Sequence, residues 1–153
     1  MGASVQHFFL YLLALGCCAS CEWGSAMTRR SAVPSGHVRV GRVYDPPTAQ
    51  DGARVLVDRL WPRGLKRDAA ALDEWCREIA PSNQLRAWYG HEPDRWAEFA
   101  ARYRAELDDP QRAVALAHLA DLAGAQTVTL LTASKAVEIS DATVIAQVLR
   151  EMV

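Results

Sequence analysis

Thr127-Val128-Thr129-Leu130-Leu131-Thr132 is the stretch on which the fold turns. It is β-branched and apolar and holds no charge, as a strand covered on both faces requires. Helical patterns flank it. Upstream, Asp109-Pro110 is a helix start, followed by Val114, Leu116, Leu119, Ala120 and Ala123 as a buried side ending near Gly124. Downstream, Asp141 to Met152 predicts a last helix with Val144, Ile145, Val148 and Leu149 inward. Two more strand-like segments lie earlier. Val38-Arg39-Val40 and Arg42-Val43-Tyr44 form one, interrupted by Gly41 and stopped by Asp45-Pro46-Pro47. After the turn signal Asp51-Gly52, Ala53 to Leu60 holds the second, closed by the loop Trp61-Pro62-Arg63-Gly64.

The middle of the chain reads as helices. Leu72, Trp75, Cys76 and Ile79 fall at i, i+3, i+4, i+7, one face of a helix, although alternation at Trp75, Arg77 and Ile79 also fits a strand. Ser82 is an N-cap for a short helix through Tyr89, ended by Gly90. Pro93 opens another, with Trp96, Phe99, Ala100, Tyr103 and Leu107 on its apolar face. Trp75, Trp88 and Trp96 are expected as core anchors. Strands separated by long helical crossovers predict an α/β fold, a small mostly parallel sheet with helices packed on it, in a single domain.

Composition agrees. In 153 residues, 50% are apolar and 23% charged, values of an ordinary globular protein. Seventeen basic residues face eighteen acidic ones, a net charge of −1, which argues against a protein that coats nucleic acid. Residues 1–37 are expected to be a disordered N-terminal extension to a domain at 38–153. Residues 1–26 hold no Lys or Arg, and Phe8 to Cys18 has the length of a signal-peptide apolar region without its basic flank. Met27, opening Met-Thr-Arg-Arg-Ser, offers an alternative start. The run is too short for a stable membrane span. Cys17, Cys18 and Cys21 lie in this extension; Cys18 and Cys21 have C-x-x-C spacing with no second ligand pair. Cys76 is the one remaining cysteine, which suits a reducing cytoplasm.

Candidate chemistry clusters at strand ends. Asp58, Arg59 and Arg63 flank Trp61-Pro62 where the second strand closes, and ligands of open α/β sheets bind beyond the carboxyl ends of strands. Arginine forks match carboxylate or phosphate, and Trp61 supplies a flat wall. The same residues also fit an internal ion pair that holds the loop. Lys135 follows the small residues Thr132, Ala133 and Ser134 after the third strand. With parallel strands it would share a sheet edge with Arg59 and Arg63; it also fits a solvated loop. Arg86 and His91, beside Trp88 and Tyr89, extend the set. Asp58 and His91 are the acid–base candidates, and Arg59, Trp61, Arg63, Arg86 and Lys135 the binding candidates. The chain has no G-x-S-x-G elbow, P-loop, G-x-G-x-x-G or helical metal-ligand pair, so no cofactor or metal is expected.

The strings Val43-Tyr44-Asp45-Pro46-Pro47 and Val57-Asp58-Arg59-Leu60-Trp61-Pro62-Arg63-Gly64 resemble the YeaO-like family, domain of unknown function 488. So do Ala80-Pro81-Ser82, Leu85-Arg86-Ala87-Trp88-Tyr89-Gly90-His91 and the stretch Trp96 to Leu107. The resemblance covers about residues 38–150. It implies a small bacterial α/β protein and no particular activity, although some members carry a transcriptional-regulator label. The chain departs from the family pattern near its end. Relatives read L-L-Y-A-A-K-D and then Glu-His-Asn before the last helix. Here Leu130-Leu131-Thr132-Ala133-Ser134-Lys135-Ala136 keeps the lysine, and Ile139-Ser140 replaces the His-Asn pair. Chemistry performed by that pair in relatives is lost here or done otherwise.

Three readings follow. The first is a cytoplasmic enzyme or small-molecule binder with a pocket for a small anion. The second is a structural or partner-binding module using the Trp-rich middle. The third is a nucleic-acid-associated protein, drawing on the seven basic residues against three acids in residues 38–67. No helix-turn-helix pattern supports the third. Oligomeric state is not legible.

Overall fold

Strand alternation sorts the apolar side chains onto two faces of a sheet. Val38, Val40, Ala53, Val55, Val57, Val128 and Leu130 join a core with the helices, whereas Val43, Leu56 and Leu131 join a second, smaller cluster. The computed structural model describes residues 38–152, so the expectations for residues 1–37 lie outside the described residues. Its four strands are β1 (Val38–Arg42), β2 (Ala53–Leu56), β3 (Glu74–Trp75) and β4 (Val128–Thr132). They form one sheet in the order β1-β4-β2-β3, every pair parallel. The register sets Val38 and Ala53 against Val128, and Arg42 against Thr132. The fully buried run of β4 is therefore the central strand that its sequence predicts.

The helices are α1 (Asn83–Tyr89), α2 (Trp96–Glu106), α3 (Pro110–Ala125) and α4 (Asp141–Met152). Local chemistry explains their limits. Ser82 Oγ accepts the Leu85 N–H at 3.2 Å to cap α1, and Gly90, at φ +54°, ends it. Asp109 caps α3 through the Gln111 N–H, with Pro110 in the first turn. Phe99 and Tyr103 carry the buried stripe of α2, and the Tyr103 hydroxyl donates to the Ile79 carbonyl at 2.8 Å. The result is a small α/β domain, as the pattern predicts.

Four expectations need correction. The helix read over Leu72–Ile79 is the short strand β3 followed by a 3-10 turn at Arg77–Ile79. Its backbone is claimed by β2: Asp73 N donates to Arg54 O at 3.0 Å and Cys76 N to Leu56 O at 2.9 Å. Its apolar residues do not share one face. Leu72 and Trp75 pack on the small cluster, and Cys76 and Ile79 lie in the main core. Val114 is exposed at 73%, because it stands about 160° around α3 from Leu116 at 100° per residue. Gly41 does not break β1; a methyl there would meet Leu131 at ordinary contact distance. The tryptophans are less deep than expected, since Trp75, Trp88 and Trp96 are half-buried against the clusters they flank.

Candidate functional site

Parallel pairing brings the loops after β2 and β4 to one sheet edge, where the sequence placed its candidates. A cavity of about 670 Å³ opens there. The loop after β2 is held by aromatic side chains, its own Trp61 together with Trp75 of β3 and Tyr44 beyond β1. Trp75 Nε1 donates to the Asp58 carbonyl at 2.7 Å, and Trp61 Nε1 donates to the Leu65 carbonyl at 2.7 Å. The two indoles meet edge to face at 5.3 Å, and the Arg67 guanidinium lies 4.8 Å from the Trp61 ring. The Tyr44 hydroxyl donates to the Arg63 carbonyl at 3.0 Å. These contacts fix the backbone from Asp58 to Leu65, while the side chains of Arg59 and Arg63 stay on the cavity lining. Among the described residues neither has a carboxylate within 4.0 Å; Arg59 feels Glu78, already paired with Arg77, only at longer range.

The opposite wall comes from α1 and the start of α4. Arg86 projects from α1, and its helix is fixed at both ends. Ser82 N donates to Glu106 Oε2 at 2.8 Å on α2, and the Tyr89 hydroxyl donates to the Ile139 carbonyl at 2.8 Å. The second bond ties α1 to the turn that delivers Asp141, first residue of α4, to the cavity. His91 follows Gly90 and also has positive φ, at +60°. Two successive left-handed residues turn the chain sharply back along the cavity rim, a conformation histidine tolerates better than most side chains.

Two carboxyls lie among these cations. Asp58 Oδ2 accepts the Ala133 N–H at 2.7 Å, joining the ends of β2 and β4. Burial raises the Asp58 proton affinity; the Ala133 N–H, the Thr132 hydroxyl and the charges of Arg86 and His91 work against that rise. Asp141 accepts the Ala142 N–H at 3.0 Å. Burial, then the Asp58 charge, pushes its carboxyl up to about 7. Among the described residues neither carboxyl has a basic nitrogen within 4.0 Å, although Arg86 acts on both from farther away.

The cavity thus gathers Asp58, Arg59, Trp61, Arg63, Arg86 and His91. It does not gather Lys135. That residue is exposed and lies one position past Ser134, the last of its loop on the lining. Sequence reasoning missed Asp141, which read only as the start of a helix, and the cavity faces of Tyr44, Asn83 and Tyr89. The signal for Asp141 was available, since an acidic residue opening the helix after β4 must sit at the carboxyl edge of a parallel sheet. Cys76 is apart from the cavity, and burial beside Glu74 pushes its thiol up to about 11.

Comparison with known proteins gives a consistent picture. The family model described as "Inactive DUF488-N3 subclade" matches residues 37–153. Uncharacterised proteins of Mycobacterium tuberculosis and Mycobacterium bovis are each 49% identical over 112 residues, covering 73% of this chain and 92% of theirs. The uncharacterised protein YeaO of Escherichia coli K12 is 44% identical over 116 residues, covering 76% of this chain and 99% of its own. No solved structure matches. Among the described residues no helix is long and apolar enough to cross a membrane.

Proposed function

Because the chain belongs to the inactive DUF488-N3 subclade, we propose that its cavity binds a small anionic molecule, in the cytoplasm, without turning it over. One observation carries this reading: Arg59, Arg63 and Arg86 line one cavity with no carboxylate partner within 4.0 Å among the described residues. Unpaired guanidinium groups carried on a fixed backbone favour a carboxylate or phosphate, because the ligand supplies the missing countercharge. Trp61 and Pro62 give the ligand an apolar surface. His91 stands at the rim as a further donor. The description of the subclade as inactive favours binding over catalysis, and Cys76 offers no accessible thiolate.

A second reading has its own support. Asp58 and Asp141 are a carboxyl pair whose proton affinities are pushed upward, a pattern that general acid–base catalysis uses. In that reading Asp58 and His91 are the reacting groups.

Thermal unfolding of the full chain in increasing inorganic phosphate tests the binding reading. A rise in Tm that follows phosphate concentration, and that is lost in Arg63→Ala, is the expected result. A Tm indifferent to phosphate, or an identical rise in Arg63→Ala, would count against it.

A further inference from the structure

The proposed anion site has a second end that three arginines do not explain. Arg59 and Arg63 are exposed on the outer loop. Asp58 and Asp141 are largely buried and lie where β2, β4 and α4 meet. Arg86 acts on both carboxyls and makes a close ion pair with neither. With both carboxyls ionised, the inner end carries two negative charges against one positive charge and lacks one cation. The outer end carries two unpaired positive charges. A simple anion satisfies the second imbalance and aggravates the first, by bringing negative charge toward two carboxylates.

We propose that the ligand is bipolar: an anionic head held by Arg59 and Arg63, joined by a short spacer to a cationic nitrogen held between Asp58 and Asp141. This deepens the anion-binding reading and rests on it. The lining has a formal balance of three arginines against two carboxylates, a surplus of one positive charge. A phosphate dianion joined to one ammonium carries a net charge of −1 and neutralises that surplus. The lining also includes Trp61, Tyr89 and Phe99, whose aromatic surfaces suit a spacer of a few methylenes. The carboxyl pair gives direction as well as affinity, since a molecule entering head first meets like charge at the bottom of the cavity.

The closing experiment uses the full chain and calorimetric titration at pH 8. The probes are aminoalkyl phosphates of two, three and four carbons, each set against the alkyl phosphate of the same length. At one or more lengths the amine-bearing probe is expected to bind at least about tenfold more tightly than its partner, a step of about 1.4 kcal/mol. In Asp141→Asn, which keeps the shape of the side chain, that preference collapses while the alkyl phosphate binds at least as well as before. Arg63→Ala weakens both members of each pair. Equal affinities at every length in the wild type would overturn the bipolar ligand and leave the anion site standing. A preference that survives in Asp141→Asn would also overturn it. If no phosphate probe binds, the anion reading itself fails, and the bipolar ligand with it.

Discussion

The Asp58 carboxylate accepts the Ala133 backbone N–H at 2.7 Å, so one side chain joins strand ends that lie 75 residues apart. The bond continues the β2–β4 pairing past the Val57 N–H, which donates to the Leu131 carbonyl at 3.1 Å. It also holds Oδ2 in place at the cavity lining. Asp58→Ala removes the acceptor and orphans a part-buried N–H, which costs about 1–3 kcal/mol. Asp58→Asn keeps an acceptor oxygen and should cost less. Urea unfolding of the two variants checks the order, and an alanine variant as stable as wild type would remove Asp58 from any structural role.

Asp141 makes stability depend on pH in an unusual sense. Its carboxyl ordinarily titrates near 3.8 and is pushed up to about 7 in the folded protein. Between those values the native state keeps a proton that the unfolded chain has lost. Stability therefore falls as pH rises through that window and levels off above it. Asp58 and Arg86 face this group, and Tyr89 lies near it. Asp141→Asn removes the cost of ionising a buried acid. It should be more stable than wild type at pH 8 by roughly 1–4 kcal/mol, with the advantage gone at pH 4. Denaturation at the two pH values measures this. A variant less stable than wild type at pH 8 would mean that the aspartate stabilises the fold as an anion.

The core is tested on two helices. Phe99 is 2% exposed and stacks on Tyr89 at 4.1 Å between ring centroids. Phe99→Ala should cost about 3–5 kcal/mol. Val114, on the outer face of α3, should tolerate alanine within about 0.5 kcal/mol. Comparable losses at both positions would mean that the burial pattern of the helices is wrong.

Much of this was legible because regular elements carry their own period. The charge-free run into Thr132 identified a buried strand, and Ser82, Gly90, Asp109 and Pro110 marked helix limits by chemistry that acts within a few residues. Parallel pairing then predicted that the Asp58–Gly64 loop and the loop after Thr132 would share an edge. What failed depended on tertiary contacts. The 3.6-residue spacing of Leu72, Trp75, Cys76 and Ile79 is real, yet the β2 backbone captures the segment as a strand and sends Trp75 and Cys76 to opposite clusters. Lys135 sat at the right edge in sequence. In an irregular loop, however, spacing does not say which way a side chain points. Asp141 was hidden by a second role, since an acid at a helix start needs no further explanation.

Gly52 offers a backbone test of the sheet. It enters β2 at φ +61°, and a Cβ there would lie 2.0 Å from the Thr127 carbonyl oxygen. That same oxygen accepts the Ala53 N–H at 2.8 Å, so neither group can retreat without breaking the β2–β4 junction. Gly52→Ala should cost more than about 2 kcal/mol. A melting temperature within a degree or two of wild type would contradict the register at this end of the sheet.

The central claim is that the cavity at the carboxyl edge of the sheet is an anion site built by Arg59, Arg63 and Arg86. It is tested most directly by nuclear magnetic resonance of the 15N-labelled full chain titrated with inorganic phosphate. The expected result is saturable shifts concentrated at the backbone amides of residues 58–61, 63–64 and 132–134 and at the side-chain Nε–H groups of those three arginines. Shifts that gather elsewhere, or that grow without saturating and spread over all exposed arginines alike, would contradict it.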